Sequence, residues 1–113
     1  MHEASIAQNL LEIALEKAQE HQASKITLVR IRVGELAGVN QEALRFAWEN
    51  LRDQTIAKEA SLEVISSPLL AKCQNCKKVS EIKGEVFKCG KCGSSEIEIV
   101  SGLELYIQDL EIE

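Results

Sequence analysis

The chain is predicted to be an α+β protein: two helices on a three-stranded sheet, with a small cysteine-bearing module inserted before the last strand. Three observations carry that expectation. Two stretches repeat apolar residues at helical intervals, three others alternate them at strand intervals, and two Cys-x-x-Cys pairs interrupt the series late in the chain. At 113 residues there is room for one compact domain, or one domain with a small annex.

Ser5 and Gln8 have the spacing of a capping box, and Ile6, Leu10, Leu11, Ile13, Ala14 and Ala18 follow at helical intervals, predicting a helix over about residues 5 to 22. Its other face carries Glu12, Glu16, Lys17 and Glu20. Residues 25 to 33 change period. Thr27, Val29, Ile31 and Val33 share one face of a strand while Arg30 and Arg32 point the other way, and Gly34 ends it. Asn40 is the expected N-cap of a second helix, whose stripe of Leu44, Ala47, Trp48 and Leu51 runs to about Asp53 and places Trp48 in the core. Ser61 to Ser66 alternates as a strand until Pro68, which lacks a ladder donor, and Ser66 to Lys72 is the expected hinge. Ile97 to Val100 predicts a short strand. Beyond Ser101-Gly102, Leu103, Leu105 and Ile107 alternate, then the parity shifts to Leu110 and Ile112, which calls for either a bulge near Gln108-Asp109 or a strand apolar on both faces.

Cys73/Cys76 and Cys89/Cys92 are the chain's four cysteines, the pairs separated by twelve residues. A two-residue gap turns both thiolates of a pair toward one point, and two such knuckles supply the four-sulfur tetrahedral shell that zinc prefers. A disulfide framework lacks a secretory context, and a redox Cys-x-x-Cys needs only one pair. The module from Lys72 to about Ile99 is shorter than the ~40 residues below which a domain normally needs a metal or disulfide. Zinc would be its core. The expected division is therefore a main domain of residues 1–71 plus 101–113 and a zinc-ribbon module of residues 72–100.

Composition narrows the function. No stretch approaches the ~18 apolar residues of a membrane span, and Met1-His2-Glu3 has no basic region followed by an apolar run, so a soluble cytoplasmic protein with no membrane partner is expected. A net charge of −5 argues against a surface built for nucleic acid. The average hides six of the nine lysines between residues 72 and 91, against Glu81 and Glu85. Four thiolates on a divalent ion carry a net −2, so part of this excess offsets the cluster.

Met1-His2-Glu3 offers a second metal site. With Met1 as the terminus, its amine, the His2 amide nitrogen and the His2 imidazole close adjacent chelate rings, and Glu3 can fill a fourth corner. That planar nitrogen and oxygen set suits nickel or copper and suits zinc poorly. Imidazole (pKa about 6.5) and amine (about 7.7 to 8) must both lose protons to bind, so affinity should collapse on mild acidification. His21, near the end of the first helix, is expected to complement the helix C-terminus.

With Met1-His2-Glu3-Ala4-Ser5 at the start, Val33-Gly34-Glu35-Leu36 after the first strand, the double Cys-x-x-Cys, and Ser101-Gly102-Leu103-Glu104-Leu105 near the end, the chain resembles the HypA/HybF hydrogenase-maturation nickel chaperones over its whole length. The resemblance implies a nickel-binding domain with a zinc-ribbon annex, nickel held by His2 with neighbouring N-terminal atoms, and zinc on Cys73, Cys76, Cys89 and Cys92. It also implies delivery of nickel to the large subunit of [NiFe]-hydrogenase together with the GTPase HypB, and in some members service to urease. Some relatives place histidines beside the Cys-x-x-Cys pairs. This module has none, which argues against a pH switch through imidazoles flanking the zinc, and Lys77 stands where glycine commonly follows the first knuckle.

Two readings compete with a non-enzymatic nickel carrier. A zinc-ribbon nucleic-acid-binding module is supported by the lysines, but Phe87 is the one aromatic available for stacking there. A rubredoxin-like iron protein lacks an aromatic cluster around the cysteines. Two histidines are too few for a catalytic set once the cysteines are committed, so no enzyme is expected.

Overall fold

The computed structural model describes residues 2–83 and 86–113, which form two compact units. Unit 1 comprises residues 1–32, 38–65 and 106–113; unit 2 comprises residues 33–37 and 66–105.

In unit 1, α1 (Glu3–Glu20) buries Ala7, Leu10, Leu11, Ala14 and Ala18, the stripe expected of an amphipathic helix, and packs on α2 (Gln41–Leu51). It starts two residues before the expected point. Ser5 lies inside the helix, and Gln8 donates forward to Glu12 Oε1 at 3.0 Å, so no capping box forms there. At the other end Gln22 adopts a left-handed φ of 55°, and the chain closes as a Schellman motif: Ala23 N–H reaches Ala18 O at 2.9 Å and Gln22 N–H reaches Gln19 O at 3.0 Å. α2 begins as expected, with Asn40 Oδ1 accepting from Ala43 N–H at 3.0 Å. Trp48, 1% exposed, donates its indole N–H to Ala60 O at 3.0 Å.

The sheet of three strands runs in the order β2 (Ser61–Ser67), β1 (Ile26–Gly34), β6 (Leu105–Ile112). Val29, Ile31 and Val33 are buried as expected, but the first buried residue of β1 is Ile26. Thr27 is half-buried, with its hydroxyl donated to Glu111 O at 3.2 Å. Lys25 and Glu113 exchange both backbone hydrogen bonds, which makes the β1–β6 pair antiparallel. Arg30 and Arg32 lie on one face of β1, yet they reach Asp109 and Gln108, which are consecutive. Lys25 lies opposite Glu113 and Gly34 opposite Glu104, so the register is the same at both ends of the pair and β6 carries no net extra residue; its parity shift between Ile107 and Leu110 is matched in β1, where Ile26 and Val29 are both buried.

Unit 2 holds a second sheet in the order β4 (Val79–Glu81), β3 (Leu70–Cys73), β5 (Ile97–Ser101), antiparallel throughout, with Ala71 opposite Ser80 on one side and Ile99 on the other. Leu69, Ala71 and Ile82 form its core, with Ile97 and Ile99 packed against them. Neither β3 nor β4 is expected from the sequence, because runs of four and three residues are too short to show a period of two. They also replace most of the expected hinge: β2 continues to Ser67, β3 starts at Leu70, and Leu69 between them is 3% exposed.

Candidate metal centres

The first centre is made by the two knuckles of unit 2. Cys73 ends β3, the strand that carries the small core, and Cys89 and Cys92 lie on the loop between β4 and β5. All four Sγ atoms lie within 4.8 Å of one another. Cys73 and Cys92 are 3.5 Å apart and Cys76 and Cys89 3.7 Å apart, far beyond a disulfide bond. A divalent ion ~2.3 Å from each sulfur at tetrahedral angles places neighbouring sulfurs ~3.8 Å apart, so the donor set fits such an ion with little movement.

The knuckles repeat one another atom for atom. Cys73 Sγ accepts from the N–H groups of Asn75 and Cys76, both at 3.3 Å; Cys89 Sγ accepts from Lys91 at 3.3 Å and Cys92 at 3.4 Å. In each, the residue after the second cysteine returns its N–H to the carbonyl of the first: Lys77 to Cys73 O and Gly93 to Cys89 O, each at 3.0 Å. That closure needs a left-handed backbone, with φ of 63° at Lys77 and 78° at Gly93. The Cys92 and Lys91 N–H groups draw the Cys89 thiol down to about 6, and the Cys76 N–H chiefly lowers Cys73. Cys76 goes the other way. The Lys78 N–H pulls its thiol down, but burial and the hydrogen bonds shared with the Cys89, Cys73 and Cys92 thiols outweigh it and raise it to about 11. Thiols this close cannot all ionise without a cation between them.

The second candidate lies in unit 1. His2 occupies the N-cap position of α1 in extended conformation (φ −88°, ψ 102°), exposed and with no side-chain capping bond. Its carbonyl accepts from Ile6 N–H at 3.2 Å. Glu3, in the first turn, is not free: its Oε2 accepts from the backbone N–H of Asn40 at 3.3 Å, tying the start of α1 to the N-cap residue of α2. Met1 lies outside the described residues. His2 and Glu3 stand at the edge of a groove of about 750 Å³ between α1 and α2, where Phe46 is 70% exposed. His21 is the C-cap of α1, its Nδ1 3.0 Å from Lys17 O, in keeping with a helix-end role.

The structure thus brings the four cysteines together and leaves His2 and Glu3 on a separate unit. It also gives two sequence motifs a place that sequence reasoning did not find. In unit 2, Gly34 N–H donates to Glu104 O at 2.7 Å and Leu36 N–H to Gly102 O at 2.8 Å, so Val33-Gly34-Glu35-Leu36 lies against Ser101-Gly102-Leu103-Glu104. A Cβ on Gly34 would come within 2.1 Å of the Gly102 backbone. The Glu104 carboxylate, bonded by its own N–H and that of Gly102 and by the hydroxyls of Ser101 and Ser67, is held down to about 2.

Comparison with known proteins agrees with this arrangement. The family profile described as "Hydrogenase/urease nickel incorporation, metallochaperone, hypA" matches residues 1–112. The chain is 35% identical to the hydrogenase maturation factor HypA of Alkalilimnicola ehrlichii over 113 residues, covering all of both chains. It is equally 35% identical to that of Aquifex aeolicus, covering all of this chain and 98% of the relative. A solution structure of the nickel metallochaperone HypA from Helicobacter pylori superposes with a TM-score of 0.72 at 28% identity, over 99% of this chain and 97% of the other. By its profile, its relatives and its fold, with four cysteines positioned as a zinc site, the chain belongs to the HypA family of nickel metallochaperones for hydrogenase and urease nickel incorporation.

Proposed function

We propose that the chain is a non-enzymatic carrier whose cargo nickel is bound at the N-terminus by His2, with the Met1 amine and Glu3 completing the shell, and whose resident ion is a structural zinc on Cys73, Cys76, Cys89 and Cys92. In this reading residues 1–71 plus 101–113 are the nickel-binding domain and residues 72–100 the zinc-ribbon module. The observation that carries it is the state of His2: exposed, ahead of the first helical residue, with an imidazole committed to no cap. A ligand in that position meets incoming metal without unfolding anything, and a receiving ligand can displace it stepwise. Glu3 enters the shell by leaving Asn40 N–H, so it contributes less affinity than His2 and links metal uptake to the junction of α1 and α2. A closed four-sulfur shell has no vacant position and holds its ion. The partners that fit this role are the GTPase HypB and the large subunit of [NiFe]-hydrogenase, with urease maturation as a further client. The setting is the cytoplasm, where reducing conditions keep thiols available to metal.

The test is His2→Ala in the untagged protein. Calorimetric titration should show nickel binding lost while zinc content and the far-ultraviolet spectrum stay unchanged. Nickel affinity that survives the substitution would sink the assignment. In the unaltered protein, affinity should fall on acidification, because donors must lose their protons to bind metal.

A further inference from the structure

The lysine excess of the cysteine region has a definite place in unit 2. Between residues 72 and 91, six lysines against Glu81 and Glu85 leave four positive charges, and a four-thiolate divalent site carries minus two. Offsetting the metal site therefore accounts for half of them. The rest is not spread evenly. Lys77, Lys78 and Lys83 flank β4 at one edge of the β4-β3-β5 sheet, whereas Glu96 and Glu98 belong to the β5 edge, where Glu98 is bonded to Gln74. Lys83, Lys88 and Lys91 line a cavity of about 820 Å³ together with Val79, Val86 and a single acid, Glu81, so lysines outnumber carboxylates there by three to one. All three lysines are exposed, and the ion pairs among the described residues all lie in unit 1. Val79 is 48% exposed and Val86 63%, and Phe87, next in the chain, is 44% exposed.

We propose that this cleft is a docking surface for an acidic segment of a partner protein, whose carboxylates meet Lys83, Lys88 and Lys91 and whose aliphatic side chains cover Val79 and Val86. Charge complementarity selects an anionic partner. The exposed valines select a polypeptide over a nucleic acid, since a phosphate backbone leaves them uncovered, and a single aromatic offers little for base stacking. The surface is independent of His2 and stands whether or not nickel binds there.

The experiment uses the full chain, metal-loaded and labelled with nitrogen-15, titrated with a short peptide of alternating glutamate and leucine. Amide shifts should gather in residues 79–93, and affinity should drop about tenfold when salt is raised severalfold. The combined Lys83→Glu, Lys88→Glu, Lys91→Glu variant should lose at least that much, the matching Lys→Arg set should retain binding, and Lys58→Glu in unit 1 should change nothing. Zinc content reports whether the reversed-charge variant has kept its fold, and the arginine set together with the salt series decides the question if it has not. The proposal is overturned by shifts outside the cleft or by equal binding of a glutamate-serine peptide. Preference for a single-stranded DNA oligonucleotide, or self-association of the chain through these lysines, would overturn it as well.

Discussion

Lys77 shows what a single side chain can cost a metal knuckle. Its φ of 63° matches the 78° of Gly93 in the second knuckle, and its N–H closes the same turn. A non-glycine residue there carries roughly 1–2 kcal/mol of strain, partly offset because glycine loses more freedom on folding. Lys77→Gly should therefore stabilise unit 2 by about 0.5–1 kcal/mol. Denaturant unfolding of the zinc-loaded protein, read by an amide probe in β3, checks the direction; a loss of stability would mean that the lysine side chain does more than occupy the turn. Lys77 stood out against the glycine common at that place in the family the chain resembles, and the knuckles were readable from spacing, because consecutive residues set turn geometry. The bond from Asn40 N–H to Glu3 was not, since it joins residues thirty-seven apart.

Among elements, the β5–β6 connection has the most specific chemistry. Glu104 accepts from Ser101, Gly102 and Ser67 and is depressed to about 2, below the ordinary carboxylate value of about 4.5. A group lowered on folding contributes stability that is complete above its unfolded pKa and lost as pH falls from about 4.5 through about 2. Glu104→Gln should lower stability at neutral pH and narrow its gap to the unaltered protein across that window, which parallel denaturation series would read. A gap that is independent of pH would refute the ionised carboxylate as the anchor. Long amphipathic elements such as α1 and α2 were legible because their periods repeat. The short β3 and β4 were not, and the parity shift of β6 made sense only beside its partner, since β1 shifts as well and buries both Ile26 and Val29.

For the whole molecule, the two units rest on different sources of stability. Unit 1 buries two helical faces and Trp48, the chain's only tryptophan, whereas the core of unit 2 centres on Leu69, Ala71 and Ile82 around the cysteine cluster. Structural zinc contributes on the order of 10–16 kcal/mol to small domains. Stripping the metal with a strong chelator should therefore abolish amide protection in β3, β4 and β5 while leaving Trp48 fluorescence unchanged. Retained protection in those strands would show that unit 2 folds without metal. The sequence by itself determined the two helices and the longer strands, the cysteine ligand set, the His2 candidate and the family resemblance, because each is written in local spacing or in the identity of a few residues. Tertiary structure alone decided that the Gly34 and Gly102 segments meet, that the Glu3 carboxylate is engaged, and that Lys83, Lys88 and Lys91 line one cleft with Val79. Those are contacts between segments far apart in the chain, which no local period encodes.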